Sequence, residues 1–105
     1  FYTSTTLILK TNSTNKVTKT INLSLGGAKI STDLKLPLAQ TLDIMLILGS
    51  KACQLKGNVI YSEKAEGEFF RYYSGLQFKD ISFEDRKILE DYFASLKLKE
   101  SSLTH

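Results

Sequence analysis

A chain of 105 residues, 42% hydrophobic and 24% charged, is sized for one domain around one core. It holds no apolar run near the ~18 residues of a membrane-spanning helix, and its single cysteine, Cys53, excludes an internal disulfide and cannot alone hold a metal. The net charge of +3 is mild but uneven: within residues 1–40 the lysines Lys10, Lys16, Lys19, Lys29 and Lys35 stand against one acid, Asp33. That part is the one to attract an anion, although solvated lysines on outer strand faces account equally for the charge. One free thiol suits a reducing cytoplasm. The chain starts at Phe1, without an initiator methionine or a signal-peptide pattern, and is expected to be a piece of a longer protein.

In chain order, the β-branched and apolar residues Thr5 to Lys10 read as a strand, and the turn formers Thr11 to Asn15 join it to a second in which Val17, Lys19 and Ile21 alternate with polar residues. The stretch Asn22-Leu23-Ser24-Leu25-Gly26-Gly27 interrupts the alternation, which resumes at Ala28 to Ser31. Pro37 marks a loop. Leu42, Ile44, Leu46 and Leu48 lie at period two and read as a central strand. After Gly49-Ser50, residues Cys53, Leu55, Gly57, Val59 and Tyr61 share one face of a strand running to Glu63, and Glu66-Gly67-Glu68 is a turn. Phe69 to Tyr73 and Gly75 to Phe78 form the last strand, with Gly75 either a bulge or a close backbone approach.

Ser82-Phe83-Glu84-Asp85 is a capping-box signature, and Ile88, Leu89, Tyr92, Phe93 and Leu96 form one apolar stripe, predicting a helix over about 82–97 with a polar, flexible tail at about 100–105. Six short strands and a terminal helix, with no room for crossover helices, predict an all-β, antiparallel six-stranded barrel carrying one C-terminal helix.

Catalysis is argued against. The only histidine is the terminal His105, so Ser24 lacks an oriented base, and no glycine-rich loop has P-loop or dinucleotide-fold spacing. Cys53, on an apolar-facing position, reads as a small core residue. The pattern N-x-S-x-x-G at Asn22, Ser24 and Gly27 supplies an amide, a hydroxyl and a bare backbone, which are groups for reading a base edge; taken alone it reads more readily as a turn with Asn22 and Ser24 bonded to neighbouring backbone.

Asn22-Leu23-Ser24-Leu25-Gly26-Gly27-Ala28-Lys29-Ile30 after a strand, then Gly57-Asn58-Val59, Tyr73-Ser74-Gly75-Leu76-Gln77-Phe78 and a helix opening Ile81-Ser82-Phe83, resembles a PilZ domain over nearly the whole chain. The resemblance implies a non-enzymatic bacterial module for second-messenger signalling in motility or biofilm regulation, binding cyclic di-GMP without metal or cofactor. It implies that Asn22, Ser24 and the Gly26-Gly27 region hold a guanine. The family's other element, R-x-x-x-R ahead of the first strand, is not matched: the arginines here are Arg71 and Arg86, and the element is expected upstream of Phe1. A guanidinium fork grips guanine O6/N7 and phosphate bidentately, as lysine cannot.

Arg71 is a further candidate contact, or a cation lying on Tyr73 or Phe69; Lys19 and Lys29 would steer the anion. The expected partners are cyclic di-GMP and a neighbouring domain or regulatory protein. The alternatives are a degenerate PilZ-like interaction domain that binds no nucleotide, and a nucleic-acid-binding barrel. The latter is suggested by a pI of about 9.0 and the aromatic run Phe69 to Tyr73, and opposed by the acids between Glu63 and Glu68.

Overall fold

A computed structural model describes residues 3–10, 15–67 and 71–103, with side chains as far as residue 98. The strands are β1 (Thr6–Lys10), β2 (Asn15–Leu23), β3 (Gly27–Thr32), β4 (Thr41–Leu48), β5 (Lys51–Lys64) and β6 (Tyr72–Lys79), followed by helix α1 (Phe83–Leu103). They close an antiparallel barrel in the order β1-β2-β3-β6-β5-β4, as the alternation predicts. Leu7 and Leu9 of β1, Ile44 and Leu46 of β4, and Leu23 and Ile30 of β2 and β3 are all but completely buried and fill its interior.

Two one-residue bulges break the alternation. Thr20 pairs with Ile30 and Asn22 with Lys29, so Ile21 is the extra residue in β2. Val59 pairs with Leu76 and Tyr61 with Gly75, so Ile60 is the extra residue in β5. Each bulge shifts the inward set by one position. Thr20 and Leu23 both point inward, leaving Asn22 outside; Val59 and Ser62 both point inward, leaving Ile60 and Tyr61 outside. The sequence expectation that Tyr61 shares the face of Val59 is therefore corrected. Ser62, turned inward, accepts hydrogen bonds from the Ser74 hydroxyl at 2.9 Å and the Leu36 N–H at 3.0 Å, so its burial leaves nothing unsatisfied.

The helix begins where the capping signature places it. Ser82 Oγ accepts from the Asp85 N–H at 3.1 Å and donates to Asp85 Oδ2 at 2.8 Å. Leu89 and Phe93 are buried in the core, with Ile88, Tyr92 and Leu96 packed against it. The helix continues past the expected end near residue 97 to Leu103, and residues 100–103, read as a flexible tail, belong to it. Leucine, lysine and glutamate favour helix there, and neither glycine nor proline stops it. Residues 104 and 105, with His105, lie outside the described residues, as do the 11–14 turn and Phe69-Phe70; the last strand itself begins at Tyr72, after Arg71.

Cys53 is fully buried, its thiol 3.5 Å from the Asp85 carbonyl oxygen. Burial, reinforced by the Asp85 charge, pushes that thiol up from 9.0 to about 11. A raised acid favours folding only while protonated, so its contribution is intact below about pH 9 and is lost as pH rises toward 11. Between about pH 8 and 10.5 the wild type is expected to lose more stability than Cys53→Val, and equal losses in urea titrations would remove this assignment.

Candidate functional site

Because both bulges fall at the same height, four outward positions line up across four adjacent strands. Asn22 of β2 pairs with Lys29 of β3, Lys29 with Gly75 of β6, and Gly75 with Tyr61 of β5. The row above it holds Gly27 opposite Gln77. Around these positions lies an open depression of about 540 Å³ on the outer wall, also lined by Ser24, Gly26 and Ile60, within the usual range for a small-molecule site.

Its floor is main chain. A Cβ on Gly75 would stand 2.2 Å from the Tyr61 ring, and one on Gly27 would stand 2.1 Å from the Leu76 carbonyl oxygen. Gly75 is thus a close approach, and the bulge sits opposite it in β5. The ring crosses a bare strand with its outer side half-exposed, leaving an aromatic surface beside a flat shelf.

The turn at the rim is built by Ser24. Its N–H donates to the Gly27 carbonyl at 2.9 Å, and its hydroxyl accepts from the Gly26 and Gly27 N–H groups at 3.3 and 3.2 Å. The Phe78 N–H donates to the Gly26 carbonyl at 2.9 Å, tying the turn to β6. Ser24 therefore shapes the rim and stays exposed. Lys29 reaches over the Tyr73 ring, 5.0 Å from its centroid, and puts a cation at the edge of the depression.

The sequence candidates divide accordingly. Asn22, Ser24, Gly26 and Gly27 come together with Lys29, while Arg71 and Lys19 do not join them. Arg71 donates to Ser31 Oγ at 3.2 Å toward the far end of β3, about 13 Å along the strand from Gly27. That region also holds Lys16, paired at 3.0 Å with Asp33, whose carboxyl it keeps below the usual range. Lys19 donates to Thr6 Oγ1 at 2.9 Å, over β1. Arg86 pairs with Glu90 along the helix at 2.9 Å. Tyr61, Gln77 and Gly75 were missing from the sequence-derived site; the signal for Tyr61 was Gly75 itself, since a strand glycine marks a place where something comes close.

The sequence model of the PilZ domain matches residues 2–95. The chain belongs to the PilZ domain family. This is a family of cyclic di-GMP receptor domains rather than of enzymes. The fold is similar to that of the Bacillus subtilis inhibitor of motility (MotI/DgrA), with TM-score 0.80 and 16% identity over 94% of this chain and 49% of that one. It is also similar to K. pneumoniae MrkH in its apo state, with TM-score 0.77 and 19% identity over 93% of this chain and 49% of MrkH. A second MrkH crystal gives TM-score 0.69 and 22% identity over 92% and 48%. The PilZ domain spans about half the length of these solved structures. No curated protein matches it in sequence. Among the described residues no helix is long and apolar enough to cross a membrane.

Proposed function

We propose that this PilZ domain binds cyclic di-GMP in the depression between Asn22 and Tyr61. The observation that carries this reading is the row Asn22–Lys29–Gly75–Tyr61, in register across four strands. It offers what a purine needs together: a hydrogen-bonding amide, a cation, a bare backbone shelf and an aromatic surface. Asn22 and the glycine turn take the guanine edge, Ser24 holds the turn in shape, Lys29 draws in the phosphates, and Tyr61 supports the base. A segment bearing R-x-x-x-R ahead of β1 closes over the ligand, and its ordering passes the signal to a neighbouring domain or regulatory protein in the bacterial cytoplasm.

The arginines are required for tight binding, because neither Arg71 nor Arg86 lies at the depression. Calorimetric titration of residues 1–105 with cyclic di-GMP is expected to show weak or no binding, and fusing an R-x-x-x-R segment ahead of Thr3 is expected to raise the affinity. In that fusion Asn22→Ala is expected to weaken binding roughly tenfold, about 1.4 kcal/mol. Unchanged affinity in Asn22→Ala would remove the site assignment. Tight binding by residues 1–105 alone would remove the requirement for the clamp.

A second reading is a PilZ interaction domain that binds no nucleotide. It is favoured by the Ser24 hydroxyl, already engaged by the Gly26 and Gly27 N–H groups. It requires the fusion to stay silent toward the nucleotide.

A further inference from the structure

Around the barrel from the depression, the registers of β2, β1, β4 and β5 place an outward apolar patch, bordered by Thr6 and Gln54. Val17 of β2 pairs with Ile8 of β1, Ile8 with Met45 of β4, and in the next row Ile47 of β4 pairs with Ala52 of β5. Ile8, Met45 and Ile47 are half-buried, Ala52 is exposed, and Val17 is 69% exposed. None of these side chains reaches the core, whose share of β1 and β4 is the opposite set, Leu7, Leu9, Ile44 and Leu46. Among the described residues, helix α1 makes its main contact with β5 and not with β1 or β4.

The charges beside this surface carry a net positive sign. Lys19 lies in the row of Ile47, and the row below Met45 runs Lys10, Asp43, Lys56. Asp80 lies beside the same row, and Lys10 and Lys56 form no ion pair among the described residues, so three ammonium groups stand against two carboxylates.

The geometry points to the outer wall of β2, β1 and β4 as a docking surface for an acidic, amphipathic helix of a partner protein. With the adjoining β5 the wall is about 15 Å wide over four strands, which a helix of about ten residues lying across them covers. Such a helix sets an apolar stripe on Ile8, Met45 and Ile47 and its flanking carboxylates near Lys10, Lys19 and Lys56, with Met45 adapting to its shape. A second copy of this chain is disfavoured, because a two-fold contact through this wall brings the same lysines together. A lipid surface is disfavoured as well, since three of the apolar side chains lie half-buried against the barrel wall instead of projecting into a bilayer.

The test uses two helical peptides of about 14 residues with the same leucine stripe, one flanked by glutamate and one by lysine, titrated into the isotope-labelled chain and followed by amide NMR shifts. The glutamate peptide is expected to shift Ile8, Val17, Met45 and Ile47, with affinity that falls as salt is added. Binding is expected to drop roughly tenfold in Val17→Glu and in Met45→Glu. The double variant Lys10→Glu/Lys56→Glu is expected to prefer the lysine peptide. Val17 is exposed enough that its substitution leaves the fold intact, which a circular-dichroism melt checks.

Equal binding of both peptides overturns the proposal, as does absence of shifts on this wall up to about 1 mM peptide. Self-association abolished by Met45→Glu overturns it in favour of a second copy. Binding to mixed phosphatidylcholine–phosphatidylglycerol vesicles through these residues, without peptide binding, overturns it in favour of a lipid surface.

Discussion

Gly27→Ala is expected to cost about 3 kcal/mol of stability, at the upper end of what overpacking a tight site costs, and to abolish binding at the depression. The added methyl would stand 2.1 Å from the Leu76 carbonyl oxygen. That atom is main chain in the middle of β6, and it cannot swing aside as a side chain does. Making room means separating β3 from β6, which strains the pairing of Gly27 with Gln77 and the Phe78-to-Gly26 hydrogen bond together. Gly26, one residue earlier, has nothing within 4 Å of its would-be Cβ. Gly26→Ala is therefore expected to change stability by no more than about 0.5 kcal/mol. Urea midpoints of the two variants decide the matter: if they coincide, the close approach of Gly27 to β6 is wrong.

Gly75→Ala behaves differently, because the atoms in its way belong to a side chain. A methyl at Gly75 meets the Tyr61 ring at 2.2 Å, and the half-exposed ring can rotate outward. The expected stability cost is smaller, about 1–2 kcal/mol, while the depression loses both its bare shelf and its aromatic surface. Adding Tyr61→Ala should recover much of the stability cost. The double-mutant cycle is expected to give a coupling of about 1 kcal/mol or more between these positions. In the arginine-bearing fusion, Gly75→Ala is expected to weaken cyclic di-GMP binding more than tenfold, beyond the effect of Asn22→Ala. A coupling near zero would mean that the ring does not rest on Gly75, and intact nucleotide affinity would place the ligand elsewhere.

Much of the architecture was legible in period-two alternation. Leu42 to Leu48 needed no more than counting, Thr5 to Lys10 showed as a strand by its β-branched and apolar composition, and Ser82 with Asp85 announced the helix start. The candidate site was legible where its lining sits in a short motif, as at Asn22, Ser24 and Gly27. It was illegible at Tyr61, because counting by twos from Cys53 through Val59 carries Tyr61 inward and one inserted residue, Ile60, reverses the count. No residue type announces such a bulge. Arg71 was read as part of a strand because aromatic residues precede and follow it; the strand starts at Tyr72, and Arg71 is fixed by Ser31 at the other end of β3. The helix end was missed because its last residues are polar, and polarity speaks to burial rather than to backbone conformation.

The ring β1-β2-β3-β6-β5-β4 returns to its starting strand, so every strand has a neighbour on both sides. Over the paired stretches, partners and passing chains alike are thus denied recruitment by backbone annealing, the route by which open sheets are extended into fibres. Apolar residues can then accumulate on the outside of this wall at lower risk of aggregation than on an open sheet, and outer positions become free to diversify for recognition while the inner leucines hold the shape.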